Sequence, residues 1–125
     1  VFTDDFENIK IPDRVPMEAL PYEARRILSL LRPGQKNSMM VKEICRLTGY
    51  RDEFIRVMGR RLLMEFGWPI GTSNDLDTPG LYLMQSEDER KRTFRNLYGR
   101  ARQIADRAYV VNEIRLIDPK EWEVL

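Results

Sequence analysis

Histidine is absent from the 125-residue chain, and cysteine occurs once, at Cys45. The first absence removes imidazole as a metal ligand, general base or triad partner; the second removes an intrachain disulfide and any cysteine cluster. No metal and no cofactor is therefore expected, and catalysis would be left to carboxylates or lysine. Long apolar runs are also missing. No stretch approaches the roughly 18 residues that span a bilayer, and no basic-then-apolar leader opens the chain, so a soluble, cytoplasmic protein is expected. The charge has no dominant sign: 21 Lys and Arg stand against 20 Asp and Glu. Total charge thus names no partner, and its distribution has to be read instead.

What is present suits one globular domain, since 42% of the residues are hydrophobic. Residues 1–19 form an acidic arm. Up to residue 24 six acidic residues oppose Lys10 and Arg14, with prolines at 12, 16 and 21, and an extended or partly disordered, flexible segment is expected. Tyr22, Ile27, Leu28, Leu30 and Leu31 then predict a first helix over about 20–32, stopped by Arg32-Pro33-Gly34. Asn37 or Ser38 is placed to cap a second, in which Met40, Val41, Ile44 and Leu47 make a buried stripe up to Thr48-Gly49-Tyr50. Arg51 to Phe66 resumes helical spacing, with Ile55, Met58, Leu62 and Phe66 inward. Trp68-Pro69-Ile70 and Leu81-Tyr82-Leu83-Met84 read as a hairpin around a polar loop over 71–80, Trp68 and Tyr82 closing it onto the third helix. Ser86 and Glu89 form a capping box that opens a long helix over about 86–116, and a tail follows over 117–125.

This order, with a second helix pair joined by a Gly turn and followed by a two-stranded wing, predicts a mainly α winged helix-turn-helix over 20–85 with a long C-terminal helix. Three stretches carry a family resemblance: Gly67-Trp68-Pro69-Ile70-Gly71-Thr72-Ser73, Pro79-Gly80-Leu81-Tyr82-Leu83, and Ser86-Glu87-Asp88-Glu89 leading to Arg100-Ala101-Arg102 and Arg107-Ala108. In them the chain resembles phage-type winged helix-turn-helix DNA-binding proteins, departing where Leu81 separates Gly80 from Tyr82. The resemblance implies double-stranded DNA as partner, with a role in phage replication initiation or transcription control.

The residues supply chemistry for that partner. Arginine can take both acceptors of a guanine edge, and the third helix carries four arginines and no lysine. Arg51, Arg56 and Arg60 are candidates for base or groove contact, with Arg61 nearer the backbone. Thr72, Ser73 and Asn74 are candidate wing contacts to phosphate. From Arg90 to Arg107 seven basic residues oppose Asp106 alone. Within this run Arg90, Lys91, Arg92, Arg95, Arg100 and Arg102 are candidate phosphate contacts. A solvated helix face and ordinary turn formers are the plain explanation of the first two sets, some of the third must face solvent because a helix cannot aim every side at one duplex, and Asp52, Glu53 and Glu65 leave the third helix at a net +1.

The long helix also carries Phe94, Leu97, Ala101, Ile104, Ala108 and Val111 at alternating spacings of three and four. This seam either packs on the wing and first helix or pairs in a homodimer; core packing is expected for its first half and a partner for the rest. The alternative to DNA binding is a protein-interaction module on the same scaffold. Carboxylates Glu43, Asp52 and Glu65 would be needed for a metal-dependent enzyme, but they show no clustering, and no enzyme is expected. The aromatic sheet motif and Gly loop of common RNA-binding modules are lacking.

Overall fold

The computed structural model describes residues 8–77 and 79–123. The chain is mainly helical, with one two-stranded antiparallel sheet and a long C-terminal helix. Its helices are α1 (Tyr22–Leu28), α2 (Val41–Thr48), α3 (Asp52–Met64), α4 (Glu87–Glu113) and α5 (Pro119–Glu123), and its strands are β1 (Ile70–Ser73) and β2 (Gly80–Leu83). The arrangement is compatible with a winged helix. Ala24, Ile27 and Leu28 of α1, Val41 and Ile44 of α2, and Ile55, Met58 and Leu62 of α3 form the core with Ile70 and Leu81 of the sheet. The inward face expected of α3 is thus observed, with Phe66 half-buried beside it.

Two helices begin or end where the local signals did not place them. α1 is shorter than 20–32, because the amides of Leu30 and Leu31 bond three residues back, to Ile27 and Leu28, and the chain tightens into turns. Neither Asn37 nor Ser38 caps α2. Asn37 donates to the Pro33 carbonyl and Ser38 to that of Gln35, in a 3-10 turn over Gln35–Asn37. α2 starts three residues after Ser38 because Met39 exchanges two 2.9 Å backbone bonds with Leu81, which hold the intervening chain extended. Met40 and Leu47, expected inward, are exposed, leaving Val41, Ile44 and Thr48 as the buried side of α2. Gly49 closes α2 in the left-handed conformation, at φ 79°.

The hairpin loop is also shorter than expected. β1 runs to Ser73, paired Ile70 with Leu83, Gly71 with Tyr82, Thr72 with Leu81 and Ser73 with Gly80, so six residues separate the strands in sequence. Leu81 enters the core. Tyr82, on the opposite face, closes the wing onto α4 and not α3: its hydroxyl lies 3.4 Å from Thr93 Oγ1. Its ring crosses Gly71 so closely that a Cβ there would sit 2.6 Å from Tyr82 Cζ. Trp68 does meet α3, packed against the core with its amide donating to the Leu62 carbonyl at 2.8 Å, and its side chain also bonds to the arm, donating from Nε1 to the Val15 carbonyl at 2.9 Å, with Arg14 stacked 5.1 Å from its ring centroid. Val15 also donates to the Phe66 carbonyl at 2.9 Å, so this part of the arm is extended and pinned to the end of α3. Residues 1–7 lie outside the described residues.

α4 opens as Ser86 implies, its hydroxyl accepting from the Glu89 amide at 3.2 Å. Glu89 itself reaches further than a capping box requires. Its buried carboxylate accepts from the amides of Gln35 (2.7 Å) and Gln85 (2.9 Å), which ties α4 to the turn before α2. Burial opposes that charge, yet the amides of Gln85, Gln35 and Ser86 and the nearby Arg92 outweigh it and hold the carboxyl below the ordinary range. The first half of the seam does not pack on the wing and α1, since Phe94 and Leu97 are exposed while Glu89 and Thr93 are buried. The helix ends at Glu113, short of residue 116. No helix among the described residues is long and apolar enough to cross a membrane.

Two outcomes are expected in urea unfolding. Gly71→Ala destabilises by about 1–3 kcal/mol, because the Tyr82 ring has to move. Glu89→Gln is less stable than the parent at pH 7. A depressed folded pKa stabilises above the unfolded carboxyl's value near 4.5 and ceases to do so as pH falls through the folded value, so the gap between the two proteins narrows in that acidic window. A gap that does not change with pH rules out a charged Glu89 as its source.

Candidate nucleic-acid interface

The outward side of α3 carries Arg51 at its N-cap, then Glu53, Arg56 and Arg60, all exposed. Core residues Ile55, Met58 and Leu62 fix this orientation, because a helix turns about 100° per residue. Arg60 and Arg51 make no ion pair among the described residues. Arg56 bonds Asp52 one turn earlier, Nε to Oδ1 at 2.5 Å, and this contact holds the guanidinium more firmly protonated. Both side chains are largely exposed, so the pair is weak enough for a phosphate or base to compete with. Arg61 leaves the row: it pairs with Glu65 at 3.1 Å and lies over the Phe66 ring, on the flank of α3.

Between α2, α3, the wing and α4 lies a concavity of about 380 Å³. Lys42 at the start of α2, Arg56 of α3, Asn74 of the wing and Arg100 of α4 border it. It gathers five of the residues singled out from sequence, Arg56, Thr72, Ser73, Asn74 and Arg100. Lys42 was not among them; its only sequence signal was its position just after the start of the second helix, and its neighbours are set by chain folding.

The three wing candidates have different environments. Asn74 is exposed. Ser73 is not available as a phosphate contact: it is buried, and its hydroxyl accepts from Gln35 Nε2 (3.1 Å) and from the Asp75 amide (3.3 Å). Thr72 is half-buried with its hydroxyl oxygen sealed from solvent and without a hydrogen-bond partner.

The α4 candidates divide around the helix. Arg100 shares the wing-facing side with Glu89 and Thr93, and Arg92 borders a second hollow with Gln35, Asn74 and Asn96. Arg90 is paired with Glu87. Lys91, Arg95 and Arg102 lie about 200–240° around the axis from Glu89, facing away from the wing. The structure therefore brings Arg100 to the concavity shared with α3 and sets Arg92 beside the wing, at the edge of the group that holds Lys91 and Arg95. The carboxylates of Glu43, Asp52 and Glu65 are each paired to an arginine three or four residues away, Arg46, Arg56 and Arg61. The described residues include no group of three metal-ligating side chains.

Because its hydroxyl has no partner and no route to solvent, Thr72→Val is expected to leave thermal stability unchanged or raise it by up to about 1 kcal/mol. Duplex affinity should not change either. A clear loss of affinity in a gel-shift titration would mean that the hydroxyl turns outward on binding.

No protein-family model, curated protein or solved structure matches this chain, so its function has to be argued from the geometry of this interface.

Proposed function

We propose that the chain is a winged helix-turn-helix module that binds double-stranded DNA inside the cell and catalyses no reaction. One observation carries the reading. Lys42, Arg56 and Arg100, from three separate helices, border one concavity with Asn74 and with Asp52, the exposed partner of Arg56, beside an exposed arginine row on α3. In this reading α3 enters the major groove, Arg51, Arg56 and Arg60 meet base edges, and Asn74 and Arg100 meet the flanking backbone. The near-neutral total charge is no obstacle, because the field at the contact is set by the cations assembled there. The resemblance to phage-type winged-helix proteins supports the same reading and points to replication initiation or transcription control.

A protein-interaction module is the second reading, and the exposed apolar residues of α4 favour it. Titration of a mixed duplex pool at several salt concentrations separates the two. The parent should bind with log affinity falling linearly in log salt, by about 0.9 per phosphate neutralised. Arg56→Ala/Arg60→Ala should lose sequence selection, and Arg100→Ala should reduce the slope by about 1 without changing the order of preferred sequences. Negligible binding by all three proteins would leave the protein-interaction reading.

A further inference from the structure

α4 has its usual polarity inverted. Its buried residues are Glu89 and Thr93, while Phe94, Leu97, Ile104 and Val111 are 55, 44, 57 and 69% exposed. With Ala101 and Ala108 these four form one stripe, centred about 70° around the helix from the Glu89–Thr93 side. α4 packs chiefly on β1, so no element among the described residues covers the stripe.

We propose that a second copy of the chain covers it, α4 against α4, antiparallel, about a two-fold axis between Arg102 and Gln103. Side-chain size selects the direction. Antiparallel pairing in this register sets Leu97 against the partner's Ala108 and Ala101 against the partner's Ile104, with Phe94 meeting the partner's Val111 at each end. Large then faces small in the four inner layers. Parallel pairing would set Ala on Ala at 101 and 108 between bulky layers, leaving gaps that a close-packed interface does not tolerate.

Charge selects the same direction. Residues 90–102 hold six cations and no acidic residue, whereas 103–115 are neutral, Asp106 and Glu113 balancing Arg107 and Arg115. Parallel pairing lays the basic segment along its own copy; antiparallel pairing lays it along the neutral one. Arg100 and the partner's Arg107 then share a flank, but both are exposed, and salt screens charges in that setting.

A two-fold axis perpendicular to the helix pair keeps both wing-facing sides on one side. Thr93 and the partner's Thr93 are then 19 residues apart along the pair, about 28 Å. The two wing-facing sides then look the same way, as two modules meeting one duplex require. Self-pairing is thus compatible with the DNA reading but does not rest on it.

The test uses the full chain without DNA, so its result is independent of duplex binding. Sedimentation equilibrium should give a dimer, and Leu97→Glu/Ile104→Glu should weaken it more than 100-fold with the circular dichroism unchanged, since both positions are exposed. In a Cys45→Ser background, Phe94→Cys and Val111→Cys should form an intermolecular disulfide when mixed. Neither should do so alone, because the two copies of residue 94 lie about 26 Å apart, far beyond disulfide reach. A monomeric parent, or a dimer that survives the double Glu variant, overturns the interface. Cross-linking of Phe94→Cys with itself overturns the antiparallel arrangement.

Discussion

Strand β2 is bonded along both edges, and the rest of the molecule is arranged around it. On one edge Leu81 exchanges two backbone hydrogen bonds with Met39, and on the other it pairs with Thr72 of β1. Its side chain enters the core while its neighbour Tyr82 crosses Gly71 toward Thr93 of α4. Four residues thus join the approach to α2, the wing, the three-helix core and the long helix. The close approach depends on Gly80, whose φ is 122°, because a Cβ there would lie 2.1 Å from the Met39 carbonyl oxygen. Only a residue without a Cβ suits both the conformation and the space.

Once β2 is fixed, the positions of the cations follow. Lys42 comes from the helix that begins just after the Met39 bridge, Arg56 from the helix packed beneath it, and Arg100 from the helix that the wing supports. Each element on its own has a modest or divided charge. α3 carries its acidic residues within a turn or two of its arginines, and four of the helical arginines are partly compensated by exposed carboxylates, Arg46 by Glu43, Arg56 by Asp52, Arg61 by Glu65 and Arg90 by Glu87. Such exposed pairs contribute little to stability. One of them, Arg56–Asp52, lies at the concavity where three helices converge, so a carboxylate moderates the cations gathered there.

The two sides of α4 follow from the same construction. Glu89 is the side chain that secures its start, and the bonds it accepts from Gln35 and Gln85 require that its face of the helix be the buried one. Thr93 and Arg100 follow on that face, which leaves the apolar stripe turned aside. A stripe with spacings of three and four fits core packing and helix pairing equally well in sequence, because both need the same period. The choice between them was made by a buried carboxylate whose partner, Gln35, lies 54 residues away.

Much of the plan was therefore legible without coordinates. Local periodicity and turn chemistry determined the order of the elements, the inward face of α3, the glycine that ends α2 and the serine that opens α4, since each depends on residues within a turn or two of one another. The exposed arginine row of α3 followed from the same periodicity. What only the tertiary structure decided depends on pairing between distant residues. Met39 and Leu81 delayed α2 beyond its apparent caps, Gln35 took the Ser73 hydroxyl away from the wing's outer surface, and the same residue's amide turned α4 by binding Glu89. Lys42 and Arg100 came to border one concavity only through these contacts. A sequence pattern encodes which face of a segment is apolar; which neighbour that face meets is decided by hydrogen bonds and packing between segments far apart in the chain.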